Sequence, residues 1–236
     1  MASQLTRKEL KQDKFAVEVE HTVDYFAAHR KQTLRYGVTA LIVIVIAGGA
    51  WYFRNSQQSV RQQVLGEALT LANAPVGAPQ PGAQQTFPTD AAKNDAVTKA
   101  FNKIVSDYGG SQEGYVAEYY LAANALGTGR PDEARKKYQD VADHADANFS
   151  SLAKLSLAQL DAGDNKLSDA ENIFKDLIDH PTALVSKAQA TIAYAKAIGP
   201  TRPDEARKLL TPLSADKDQA EVAPIANQAL ADLPQK

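Results

Sequence analysis

The chain writes GTGRPDEAR at residues 127–135 and GPTRPDEAR at residues 199–207. Glycine beside clustered charge serves binding sites and turns alike, and spacing separates the two. The copies lie 72 residues apart, and midway, at 163–171, stands GDNKLSDAE, with glycine, basic residue, acid and alanine in the same columns. The string therefore recurs with a period of 36. A fixed period of about 20–50 residues marks a stacked-repeat architecture, in which each copy buries its apolar face against the next.

Each copy reads as a turn between two helices. Gly127, Gly163 and Gly199 close one apolar helical stretch, because glycine takes the left-handed conformation without a Cβ penalty. Pro131 and Pro203 suit the first position of the following helix, and Asp132, Glu133, Asp204 and Glu205 stand where the helix dipole favours negative charge. In the middle copy Ser168 and Glu171 have the spacing of a capping box. Beyond the turn, Ala134, Ala170 and Ala206 are each followed at four residues by Tyr138, Phe174 and Leu210, and three further on by Val141, Leu177 and Leu213. Leu121-Ala122, Leu157-Ala158 and Ala193-Tyr194 repeat at 36 in the preceding helix.

This small-then-large order resembles the second helix of a tetratricopeptide (TPR) repeat. The resemblance spans roughly 113–213, lacks the family's tryptophan and exceeds its usual period of about 34 by a slightly longer turn. It implies that the alanine lets two helices approach and the large residue fills the space beneath. The expected fold class is all-α: a TPR-like α-solenoid of about three to four helix pairs, with repeats near 113–148, 149–184 and 185–215 and a cap at 218–233 that covers the last apolar face.

Composition narrows the function. With no cysteine in 236 residues, disulfides, thiolate metal sites, a cysteine nucleophile and a lipoprotein anchor are excluded. Residues 1–35 carry seven Lys/Arg against five Asp/Glu, and 54–236 carry 19 against 23, so no basic face for nucleic acid emerges. Between them, 36–53 reads YGVTALIVIVIAGGAWYF, 18 residues without a charge. As a helix it would reach about 27 Å, close to the thickness of a hydrocarbon layer. Arg30, Lys31 and Arg35 precede it, so the positive-inside rule predicts a single-pass inner-membrane protein with a cytoplasmic arm at 1–35 and a periplasmic domain at 54–236. Tyr36 would mark one membrane interface and Trp51, Tyr52 and Phe53 the other. A cleavable signal peptide is the competing reading, since Gly48 and Ala50 are small; a leader of about 35 residues and three aromatics after the cut argue against it.

In the arm, Thr6 and Glu9 have capping-box spacing, and Phe15, Val19, Val23 and Phe26 make one helical stripe, although Phe15, Val17, Val19, Val23 and Tyr25 also alternate like a strand. Such a helix either lies on the inner membrane surface or is simply solvated. After the membrane segment, 55–74 predicts a helix with Val60, Val64, Ala68 and Leu71 on one face. The Pro/Gly-rich loop at 74–90 is a hinge, a binding loop or a disordered insert, and 90–108 is a helix with Phe101 and Ile104 in the large-residue columns.

No catalytic, cofactor or metal constellation stands out. His21, His29, His144 and His180 lack metal-ligand spacing, and GTG at 127–129 has neither the strand–helix context nor the lysine of a phosphate loop. A protein that binds proteins, not an enzyme, is expected. On the TPR resemblance the first helix of each repeat lines a concave groove. Its lining would be Tyr119 and Ala123, Leu155 and Gln159, and Thr191 and Ala195, with Tyr115, Tyr119 and Tyr120 as an aromatic cluster. The competing reading is that these residues only pack between repeats. A groove of this kind suits a helix, an extended hydrophobic peptide or a second copy of the chain.

The order of cytoplasmic arm, membrane helix and alanine-rich TPR-like domain resembles the bacterial ancillary SecYEG translocon subunit family, whose TPR-like domain is shared with a cell-division coordinator of the envelope. This implies a membrane-tethered scaffold whose partners are the translocon, periplasmic chaperones or secretory chains. Envelope or division coordination and self-assembly into a homo-oligomer are the alternatives. A longer arm and the Pro/Gly-rich loop set this sequence apart from that family.

Overall fold

Pro131 and Pro203 each stand at the start of a helix, where the missing amide hydrogen costs nothing. The computed structural model describes residues 30–78, 85–216 and 220–234. Among these the regular structure is helical: α1 (Arg30–Asn73), α2 (Asp90–Tyr108), α3 (Gln112–Gly127), α4 (Pro131–His144), α5 (Ala147–Gly163), α6 (Leu167–Asp179), α7 (Lys187–Ile198), α8 (Pro203–Ala215) and α9 (Val222–Ala231). The expectations for the arm at 1–29, including the Thr6/Glu9 cap and the Phe15 stripe, lie outside the described residues, as do the side chains of Trp51, Tyr52 and Phe53.

The chain divides into two units, residues 1–59 and 60–236. In the first, the described side chains from Tyr36 to Gly49 are exposed, among them Leu41, Ile42, Val43, Ile44, Val45 and Ile46. No helix of the described residues is long and apolar enough to cross a membrane. The second unit holds the repeats. Helices α3/α4, α5/α6 and α7/α8 form successive pairs, each helix packs chiefly on its neighbours in sequence, and α3, α5 and α7 also touch in series. Three apolar clusters follow one another along the chain. The first joins Ala68 of α1 to Phe101 and Ile104 of α2, the second centres on Tyr138 and Val141, and the third runs from Leu155 to Leu233. Such nearest-neighbour packing makes a solenoid quasi-one-dimensional. The cap closes it through Ala226, Ala229 and Leu233, all buried against the last pair.

The expected columns form the core. Ala134, Ala170 and Ala206 are buried, as are Tyr138, Phe174 and Leu210 and, one turn on, Val141 and Leu177, while Leu213 is half-buried at the edge of its cluster. Two local expectations are corrected. Helix α6 starts at Leu167 with Lys166 at its N-cap and no side-chain cap, so Ser168 lies inside the first turn and no capping box forms. In the turns of the first two copies the residues with positive φ are Gly129 (φ 75°) and Asn165 (φ 61°), two positions beyond the glycines expected to hold that role; Gly127 and Gly163 are simply the last helical residues. Gly199 stays right-handed at φ −47°, and a Cβ there would meet Leu233 Cδ2 at 2.6 Å. Its smallness serves the approach of the cap.

The final residue of the repeated string has a further role. Arg135 donates to Asp161 Oδ1 at 2.6 Å and Asp164 Oδ2 at 2.8 Å, reaching the turn of the next repeat. In the same column of the middle copy the charge is reversed, and Glu171 accepts from Arg202 at 2.7 Å. In the last copy Arg207 donates to the Pro234 carbonyl at 2.6 Å, beyond the cap. Each turn is thus tied to the one that follows. Hydrogen bonds from Lys175 at 2.8 Å and Arg202 at 2.7 Å hold the Glu171 carboxyl down at about 2.

The loop expected at 74–90 is pinned at its base. Gly77 N–H donates to Phe87 O at 2.8 Å and Phe87 N–H to Pro75 O at 3.0 Å, with the Phe87 ring buried. Before α3, Ser111 accepts from Gly114 N–H at 3.1 Å and donates to Tyr108 O at 2.7 Å, making a tight α2–α3 turn. A Cβ on Gly114 would collide with the Tyr108 carbonyl, and at 2.9 Å with Gly109 Cα.

Two outcomes follow from these contacts, both read by urea unfolding of the full chain in detergent. Gly114→Ala lowers stability by about 2 kcal/mol through overpacking against backbone, whereas Gly110→Ala, with open space around it, leaves the midpoint within error. Glu171 lies below its ordinary value of 4.5, so its contribution is complete above pH 4.5 and is lost as pH falls toward 2. Glu171→Gln therefore costs about 1–2 kcal/mol at neutral pH, a figure discounted for partial exposure of the pair, and the variant loses that part of the acid dependence.

Candidate partner-binding surface

The tight turn before α3 fixes the rotation of that helix, and its sequence, QEGYVAEYYLAANALG, puts aromatic residues on two neighbouring faces. Val116, Ala117, Leu121, Ala122 and Ala125 face inward and are buried. Tyr119 is half-buried and central: its ring lies 5.4 Å from Tyr138, 5.9 Å from Phe149 and 5.9 Å edge-on from Tyr120. Tyr120 stacks on the buried Phe101 of α2 at 5.1 Å and 6° and keeps 36% of its surface exposed. Tyr115, half-buried one turn earlier, lies flat against the His144 ring at 6.0 Å and 12°. Aromatics that are both anchored and exposed suit binding surfaces, because little rotamer freedom is lost on contact.

The other expected groove residues divide. Ala123 and Gln159 are exposed. Leu155, Thr191 and Ala195 are buried, and Leu155 and Ala195 belong to the apolar cluster that joins α5 to α7 and α8. They offer no surface to a partner and pack between repeats instead. Tyr115, Tyr119, Tyr120 and Ala123 remain together on α3, while Gln159 is on α5.

Sequence reading missed the charged groups beside this surface. Glu118 lies on the same face as Tyr115, one turn on, and meets α4. Its carboxyl faces that of Asp140, which acts on it to raise its pKa, and Lys137 Nζ stands 3.9 Å away. His144 Nδ1 lies 3.2 Å from Asp140 Oδ1 and 3.0 Å from the Asp140 carbonyl oxygen. Burial first, then the Asp140 carboxylate, raises Glu118 to about 7; Lys137, at the outer limit of an ion pair, offsets only part of this. The signal available in the sequence was a lone carboxylate in an otherwise apolar, alanine-rich helix face. Elsewhere, Tyr194 donates to Glu205 at 3.3 Å within the Glu171–Arg202 network, and burial followed by Glu171 raises its hydroxyl well above the ordinary value. Among the described residues no group of three or more His, Cys, Asp or Glu is arranged to hold a metal ion.

Stacked antiparallel helix pairs with a small-residue column, sequential cores and a capping helix define a helical-repeat protein. A family model described as tetratricopeptide repeat-like domain matches residues 29–180, well over half of the chain. The chain belongs to that family. TPR-like domains generally mediate protein interactions, and α3 keeps three aromatic rings partly accessible. No curated protein and no solved structure matches the chain.

The contacts separate the tyrosines. Tyr119→Ala removes three ring contacts and lowers stability by roughly 2–3 kcal/mol, toward the low end for a large aromatic because the ring is only half-buried. Tyr115→Ala costs under about 1 kcal/mol. Urea midpoints of the two variants, compared at one pH, check the order.

Proposed function

We propose that the chain is a membrane-tethered scaffold in which the TPR-like domain holds protein partners close to one membrane site. The observation that carries this reading is the union, in one chain, of TPR-like repeats and a helical segment whose apolar residues 41–46 are exposed on every side. A helix that is apolar all round needs an apolar environment, and the uncharged stretch 36–53 has the length of a bilayer core. Among the described residues themselves no helix is long and apolar enough to cross a membrane. The tether rests on the sequence of the whole stretch.

Basic residues before that stretch favour a cytoplasmic N-terminus and a periplasmic TPR-like domain. Resemblance to the ancillary SecYEG translocon subunit family then suggests the partners: translocon components, periplasmic folding factors or emerging secretory chains. Tethering raises the effective concentration of weak partners, so modest affinity at the α3 surface suffices. The reading assigns no catalytic role to any residue.

Photo-crosslinking tests it. With a photoreactive amino acid at Tyr115 or Tyr120 of the full chain in bacterial membranes, the captured proteins are translocon subunits, periplasmic chaperones or secretory chains, and release of residues 55–236 as a soluble periplasmic protein lowers their yield. Capture of division or envelope proteins, or of the chain itself alone, overturns the translocon assignment. Unchanged capture by the released domain overturns the role of the tether.

A further inference from the structure

The aromatic surface is joined to titratable groups by an unbroken series of contacts. From α4, Lys137, Asp140 and His144 face α3; from α3, Glu118 and Tyr115 face back. Lys137 Nζ is 3.9 Å from Glu118 Oε1, the Glu118 and Asp140 carboxyls meet, Asp140 Oδ1 is 3.2 Å from His144 Nδ1, and the His144 ring lies on Tyr115 at 6.0 Å. The charged groups acting on Glu118 are thus Asp140, Lys137 and His144, all on α4. Helices α2 and α5, which also pack on α3, meet its tyrosines through Phe101 and Phe149.

With both carboxyls ionised, the pair places two negative charges against one lysine at the limit of contact. One proton relieves this, since two adjacent carboxyls share a proton more readily than both ionise. Such a proton is shared between α3 and α4 and alters the charge facing His144, whose ring carries Tyr115. We propose that the Glu118–Asp140 carboxyl pair, linked through His144 to Tyr115, is a proton-binding element that sets the position of the Tyr115 ring and so makes the α3 surface responsive to pH. Its use as a control of docking rests on the scaffold reading above; its existence does not.

The balance is one proton taken from solvent and held between two carboxyl oxygens, with no bond to carbon made or broken. In the protonated state the pair presents one negative charge, the acid and lysine charges cancel, and α3 and α4 are held together by a carboxyl–carboxylate hydrogen bond. In the deprotonated state the two carboxylates repel across the helix pair, and Asp140 is free to hold His144 more strongly. Tyr115 therefore occupies different surroundings in the two states, while Tyr119, fixed by Tyr138 and Phe149, stays in place.

The experiment is NMR of the full chain in detergent with ring-¹³C-labelled tyrosine, from pH 5 to 8.5, Tyr115 being assigned by Tyr115→Phe and Tyr194 serving as the distant reference. The Tyr115 signal is expected to titrate with a midpoint near neutrality while Tyr194 stays flat. In Glu118→Gln and, separately, Asp140→Asn, both isosteric, that midpoint moves by at least half a pH unit or the titration disappears. A Tyr115 signal that is flat across the range overturns the proposal. So does an unchanged midpoint in Glu118→Gln, whatever Asp140→Asn does, because Asp140 touches the His144 ring directly and its variant alters that contact with or without a shared proton. Failure of the partner captures described above leaves this measurement unaffected, and the two readings can fall separately.

Discussion

Close approach of paired helices at Ala134, Ala170 and Ala206 is the constraint on which the remaining structure depends. All three are buried at the crossing of α3 with α4, α5 with α6 and α7 with α8. A methyl side chain there leaves space that Tyr138, Phe174 and Leu210 fill four residues later, and close-packed interiors tolerate little departure from that match. Because each crossing is local, no long-range contact has to form before a pair gains stability. The pairs are then joined through Leu121-Ala122, Leu157-Ala158 and Tyr194, which face the neighbouring repeat from the first helix.

Apolar packing alone would let neighbouring pairs slide, since small aliphatic surfaces are alike. The polar ties remove that freedom. Arg135, Glu171 and Arg207 occupy one column and reach the next turn in each case, although the middle copy reverses the sign and the last meets a carbonyl. A second column acts at the other end: Gln112 Oε1 accepts from Asp146 N–H at 3.1 Å, and Asn148 Oδ1 from Ala183 N–H at 3.2 Å. Geometry, not residue identity, is what recurs. The same logic explains why Asn165 can stand where the first copy has Gly129, since asparagine tolerates the left-handed region better than other non-glycine residues.

These facts also decide what could be read in advance. The alanine and large-residue columns, the prolines at helix starts, helix α2 and the position of the cap follow from periodicity and local chemistry, which the chain carries within each 36-residue unit. Features that depend on the rotation of one helix against another could not be read so. Leu155, Thr191 and Ala195 share the column of Tyr119, Ala123 or their equivalents, yet α5 and α7 approach closely enough to bury them. Glu118 meets Asp140 across 22 residues of chain only because the α2–α3 turn sets the face that α3 turns toward α4. The Ser168 capping box failed for a more local reason: Asn165 enters the left-handed region, so α6 begins at Leu167 and Ser168 is already inside it.

The surface on α3 differs from its equivalents in the later repeats for a physical reason. Where α5 and α7 bring aliphatic and alanine side chains to their shared contact, α3 brings Tyr115, Tyr119 and Tyr120, rings too large to be covered by one neighbouring helix. Each is therefore held on one side, by His144, by Tyr138 with Phe149, or by Phe101, and left partly open on the other. Held rings lose little entropy on binding, and open rings offer apolar area to bury. A charged carboxylate in the middle of such a surface would oppose both effects by keeping water nearby. Glu118 avoids this by turning toward α4, where burial first and then Asp140 favour its neutral form. The same arrangement that protects the apolar character of the surface thereby gives it a group that exchanges a proton close to neutral pH.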